Sequence, residues 1–182
     1  MSLHAFVDES EPSAGAYLLA AAVITGDHLD TARTTIDALR LRGQRKLHWH
    51  GENDNRRMLG IKTIATLPAL HLVVIRAARD EGSERRRRLC LRRLLCELDQ
   101  AGVGHVVLER RQRSQDQADS QLLSALRTAK LITGGLRMDH AAGTEEPLLW
   151  LPDFVAGAAG AARRGNHSYQ DELTGLVQIL EA

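Results

Sequence analysis

Phe6-Val7-Asp8-Glu9-Ser10 closes an apolar opening run and sets an aspartate where the pattern otherwise reads as core. A second stretch near the other end, Leu148-Leu149-Trp150-Leu151-Pro152-Asp153-Phe154-Val155-Ala156-Gly157, opens a helix of small side chains and again carries a carboxylate among apolar neighbours. Burying a carboxylate is costly unless it is paired, hydrogen-bonded or bound to a cation. Two of them at the edges of core elements therefore point to a metal site.

Working outward, residues 3–8 read as a strand, 11–15 as a turn and 17–24 as the returning strand of a hairpin. Asp27 is placed to cap a helix over 29–41. A short Leu47-His48-Trp49-His50 segment and a helix over 53–66 follow, so a helical insertion separates the second strand from a third at 70–77. The helix over 83–100 is the clearest in the chain, because Leu91, Leu94, Leu95 and Leu98 recur at helical spacing and Gly102 ends it. A strand at 104–109, a helix over 115–132, a short last strand at 136–140 and a helix over 148–164 come next. Leu173, Leu176, Val177 and Leu180 read as one face of a closing helix started near Ser168. A hairpin followed by alternating strands and helices predicts an α/β fold built on a mixed five-stranded sheet flanked by helices. Sites on such sheets form at the carboxyl ends of strands, where Asp8 and Glu109 both fall.

The chain has 182 residues, enough for one domain spanning 1–182. A net charge of +1 argues against a uniformly basic coat, although 21 of the 24 basic residues are arginine, the lysines being Lys46, Lys62 and Lys130. Cys90 and Cys96, six apart on one helix, point to different faces and read as separate thiols of a reducing compartment. The longest apolar run, residues 17–24, is too short to span a bilayer, and the start of the chain does not read as a signal peptide. These features predict a cytoplasmic protein.

Asp8, Glu109 and Asp153 come from distant parts of the chain and supply the hard oxygen ligands that Mg2+ or Mn2+ takes. Asp153, Ala156, Gly157 and Gly160 share one helix face, and small residues there let the helix approach the sheet closely. With these residues in view, the chain resembles the bacterial family filed as domain of unknown function 3800, whose members have an RNase H-like fold. That family opens on Phe-x-Asp-Glu-Ser-Gly, matched by Phe6 to Ser10, and ends its core on Leu-Gln-x-Ala-Asp-hydrophobic-hydrophobic-Ala-Gly, matched by Leu149 to Gly157. The chain departs from the pattern at Glu11-Pro12, at Pro152, and at Glu109, where RNase H-like enzymes usually use aspartate. The resemblance implies Asp8 on the first strand, an acidic residue ending the fourth and Asp153 on a late helix as catalytic metal ligands, with Glu9 as an outer or alternative ligand. It further implies Mg2+- or Mn2+-dependent cleavage of RNA or DNA.

His48 and His50 at i, i+2 are candidate substrate contacts, and Arg110 and Arg111, following Glu109, are placed to meet phosphates. Arg85, Arg88 and Arg92 align along the side of their helix opposite the leucines, as a solvated face or a second phosphate surface. The leading expectation is a metal-dependent nuclease with nucleic acid as its partner. The alternative is a catalytically degenerate RNase H-like module that binds nucleic acid or a protein partner, and a homodimer stays open.

Overall fold

The computed structural model describes residues 2–11 and 15–182. Six strands form one mixed sheet: β1 (Leu3–Ser10), β2 (Ala16–Thr25), β3 (Ala69–Ala77), β4 (Val103–Glu109), β5 (Arg137–Ala141) and β6 (Val177–Glu181), in the order β5-β4-β1-β2-β3-β6. β1, β2 and β3 pair antiparallel, while β4 joins β1, β5 joins β4 and β6 joins β3 in parallel. The turn expected at 11–15 falls mostly outside the described residues.

The period of two along each strand sorts side chains into two cores. Phe6, Leu18, Ala20, Ala22, Val73 and Val107 point to one face. There they meet α1 (Leu29–Asp37), α2 (Asp54–Ala65), α5 (Trp150–Arg163) and α6 (Ser168–Asp171). Val7, Leu19, Val74 and Leu108 point to the other face, against α3 (Ser83–Gln100) and α4 (Arg113–Thr128). Helices on both faces of the sheet complete three layers.

The sixth strand corrects the expected count of five and replaces most of the closing helix. Gly175 adopts a φ of +80°, which breaks helical continuation. Beyond it Val177, Ile179 and Leu180 pair along the otherwise open edge of β3. The apolar spacing over 173–180 suited a helix as well as a strand, and the unpaired edge decided between them. α1 likewise stops at Asp37 rather than running to 41, and Asp27 lies in a 3-10 turn, Gly26–His28, instead of capping it. Around Gly43, whose φ is +82°, the Gln44 N–H donates to the Leu41 carbonyl and the Leu41 N–H donates to the Gln44 side-chain oxygen.

α5 owes its close packing to two glycines. A Cβ at Gly157 would lie 2.2 Å from the ring of Trp49, and one at Gly60 would lie 2.3 Å from the ring of Phe154. Gly157 thus makes room for Trp49 rather than for the sheet.

Candidate functional site

Asp8 lies on the Phe6 face of β1, and Glu109 ends β4 on the Val107 face, which is the same side of the sheet. The last paired register, Val7 with Leu108, sets the two carboxylates side by side one residue further along. Asp153, in the first turn of α5, reaches the same strand ends. Asp8 is 8% exposed and Asp153 4%. Burial, reinforced by the charges of Glu109 and Asp153 and a hydrogen bond with Glu109, pushes the Asp8 carboxyl well above the ordinary aspartate range. Burial also works to raise Glu109, but the bond with Asp8 and the Lys46 ammonium outweigh it and hold Glu109 low. The two carboxyls are thus pushed in opposite directions, Asp8 up and Glu109 down.

Each carboxylate is positioned by backbone or by a basic side chain. The Glu9 N–H donates to Asp8 Oδ1 at 2.7 Å. Lys46 Nζ donates to Glu109 Oε1 at 2.8 Å. Asp153 Oδ2 accepts from the Trp49 N–H at 2.7 Å and meets His48 Nδ1 at 3.0 Å, which leaves Oδ1 without a partner among the described residues. The bond to Asp153 prevails over burial and raises the His48 imidazolium above its ordinary range. The chain closes over the cluster at buried Gly143, where a Cβ would lie 2.4 Å from Glu109 Oε1 and 3.3 Å from Lys46 Nζ. Trp150 Nε1 holds that glycine's carbonyl at 2.6 Å.

The structure separates two of the sequence candidates from this cluster. Glu9 alternates to the opposite face of β1, where Arg87 Nε of α3 donates to it, so it stands away from Asp8's side chain. Arg111 turns to that same face, where it pairs with Glu84 at 2.7 Å and its N–H meets Asp116 Oδ1 at 3.0 Å. Glu9 departs from the expectation because adjacent residues on a strand point to opposite sides, and Arg111 because it lies beyond the end of β4, where Glu84 and Asp116 hold it. Arg110 is exposed and bonds the His140 carbonyl at 3.2 Å. His50 is exposed beside His48, their ring centroids 5.6 Å apart, and Trp49–Gly51 form a 3-10 turn rather than an extended segment. Sequence reasoning missed Lys46 and Gly143. One of only three lysines in a chain of arginines, set two residues before His48, was the available signal for the first; the second had none.

On the α3 and α4 side, Asp116, Asp119 and His140 bring one potential ligand atom each within 4.8 Å of one another, the one such trio among the described residues. Arg87 already takes both oxygens of Asp119, and His140 Nε2 meets Asp119 Oδ2 at 3.3 Å. Burial acts to raise Asp119, but His140 and Arg87 overcome it and lower its carboxyl. With a guanidinium in place, this trio works as an ion-pair network tying α3, α4 and β5 together. The Asp8, Glu109 and Asp153 cluster is looser, as like charges with an ammonium among them would be.

No family model matches the chain, and no curated protein matches it. Solved structures do, two of them as follows. Ribonuclease HII of Archaeoglobus fulgidus, solved in complex with PCNA, superposes with a TM-score of 0.60 at 10% identity, covering 93% of this chain and 78% of that one. Ribonuclease H2 of Pyrococcus horikoshii OT3 gives 0.61 at 12% identity, covering 97% and 81%. The chain therefore has an RNase H-like fold. Among the described residues no helix is long and apolar enough to cross a membrane.

Proposed function

We propose that the protein is a divalent-metal-dependent nuclease that hydrolyses phosphodiester bonds of RNA or DNA, with Asp8, Glu109 and Asp153 as its catalytic carboxylates. The observation that carries this reading is their convergence, from β1, β4 and α5, on the carboxyl end of the sheet, where Asp8 is desolvated and crowded by the other two. An all-oxygen, acidic, partly dry donor set fits Mg2+ or Mn2+. Such ions, when bound, activate water and stabilise the leaving oxygen in phosphodiester hydrolysis.

The protein's own groups have assignable tasks. Asp153 offers Oδ1 while Trp49 and His48 fix Oδ2, so its carboxylate is oriented in advance. His48 stays protonated over a wider pH range than a free histidine, and its Nε2 has no partner among the described residues, which suits a donor to a phosphate oxygen. Exposed His50, beside His48, and exposed Arg110, next in sequence to Glu109, are assigned as further substrate contacts. The likeness to ribonucleases HII and H2 supports the fold on which this chemistry rests. The finer placement in the domain of unknown function 3800 family rests on the two sequence motifs. The reading includes one domain over 1–182 and a cytoplasmic location, in keeping with the free thiols of Cys90 and Cys96.

One observation favours the degenerate module instead: Lys46 already supplies a cation to Glu109. Incubating purified protein with single-stranded, duplex and hybrid substrates separates the two. The nuclease cuts at least one of them with Mn2+ or Mg2+, stops with chelator, and loses cleavage but keeps binding when Asp153 becomes Asn. Binding without cleavage in either metal would assign the module.

A further inference from the structure

We infer that residues 38–51, the greater part of the segment between α1 and α2, form the strand-holding surface of the site, with a nucleic-acid phosphate backbone as its occupant. The inference rests on the nuclease reading and names the surface that serves it. The segment reads Ala-Leu-Arg-Leu-Arg-Gly-Gln-Arg-Lys-Leu-His-Trp-His-Gly, with Arg40, Arg42, Arg45 and Lys46 and no aspartate or glutamate. In a chain of net charge +1 this is a local excess of positive charge, and it ends inside the carboxylate cluster. Lys46 bonds Glu109 and His48 bonds Asp153.

Several arginines elsewhere are neutralised, while others, Arg88, Arg92 and Arg113 among them, form no ion pair among the described residues, and within the segment Arg40 pairs with Asp37 at 3.1 Å. Arg33, Arg56, Arg76, Arg86, Arg87 and Arg111 each face a carboxylate within 4 Å. Arg42 and Arg45 are exposed and pair with none among the described residues. Glu52, the nearest acidic residue after the segment, is buried with its oxygens taken by Gln44 of the segment at 2.6 Å and Arg56 of α2 at 3.0 Å.

The backbone under these side chains is held rather than loose. Gln44 exchanges bonds with Leu41 at 2.9 and 3.0 Å. Leu47 and Trp49 are buried and anchor the far end. The turn tip at Gly43 has nothing within 4 Å of an added Cβ, so it faces open space. Unpaired guanidinium groups on a braced turn, running without a break into the cleft, are what a backbone-reading, sequence-tolerant contact requires. The exposed arginines of α3 lie across the sheet from Asp8 and lack that continuity.

The test measures binding of labelled single-stranded, duplex and hybrid oligonucleotides across a salt series by fluorescence anisotropy. It compares wild type with Arg42→Glu/Arg45→Glu and with Arg88→Glu/Arg92→Glu on α3. The first variant should bind at least tenfold more weakly, with a salt slope shallower by about two phosphate contacts, and the second should match wild type. Because all four side chains are exposed, melting temperatures should agree, and the segment variant should keep the wild-type stabilisation by Mn2+. Unchanged binding by the segment variant, or loss confined to the α3 variant, overturns the inference while the metal site stands. Absence of nucleic-acid binding by wild type overturns it too, and a missing Mn2+ response in wild type would additionally remove the nuclease reading.

Discussion

Asp153 Oδ2 accepts the backbone N–H of Trp49 at 2.7 Å, although 104 residues separate them. That bond joins α5 to the segment carrying Lys46 and His48, so one buried carboxylate both orients the site and holds its wall. Asp153→Ala leaves the Trp49 N–H without an acceptor and should cost about 1–3 kcal/mol in denaturant unfolding. Asp153→Asn keeps an oxygen there and should cost less. Equal losses for the two variants would show that the bond adds nothing to stability.

Gly157→Ala tests the packing beneath that bond. Its methyl group would meet the Trp49 ring, itself enclosed by Phe154 and Tyr169 at centroid distances of 5.5 and 4.9 Å. Overpacking of this kind costs about 1–3 kcal/mol, and tryptophan fluorescence should shift as the ring moves. Gly134→Ala, with nothing within 4 Å, should leave both readouts nearly unchanged.

His71 sets a pH dependence away from the site. It is 2% exposed with neither ring nitrogen partnered, and burial lowers its pKa from 6.5 to about 4. The unfolded chain therefore binds a proton between these values that the folded chain refuses. Stability is accordingly full above 6.5 and falls as pH drops through the window, by about 3 kcal/mol at its lower end. Equilibrium unfolding at pH 7 and pH 4.5 should show the loss, and His71→Leu should remove most of this component and raise stability at both.

Gly143→Ala separates site geometry from folding. The atoms its methyl group would strike are the ends of two flexible side chains, Glu109 and Lys46, which can move aside cheaply. Melting without metal should change little, while Mn2+ affinity should fall as Glu109 is displaced. An unchanged affinity would place Glu109 outside the metal set.

The opening hairpin, the mixed sheet and the helix that carries Asp153 were legible because a strand's period and a helix's apolar run are written locally. The sixth strand was not, because Leu173, Leu176, Val177 and Leu180 fit a helix until the open edge of β3 claims residues 177–181. Helical spacing set Arg85 and Arg88 on the outer side of α3, where they are exposed, but it did not show that Arg86 and Arg87 are buried on Glu11, Glu9 and Asp119. Helical phase divides them, and only the positions of distant carboxylates reveal which side is neutralised. Lys46 was hidden for the same reason: its partner lies 63 residues away.

The central claim is that Asp8, Glu109 and Asp153 bind a divalent cation. Thermal unfolding of wild type and Asp8→Asn, each with and without Mn2+ or Mg2+, tests it most directly. Wild type should gain stability with metal, by about 2.7 kcal/mol when the ion is at 100 times its Kd. Asp8→Asn should start more stable without metal, since it removes a desolvated, crowded carboxylate, and should lose most of the response. An equal gain in both proteins, or none in wild type, would contradict the account.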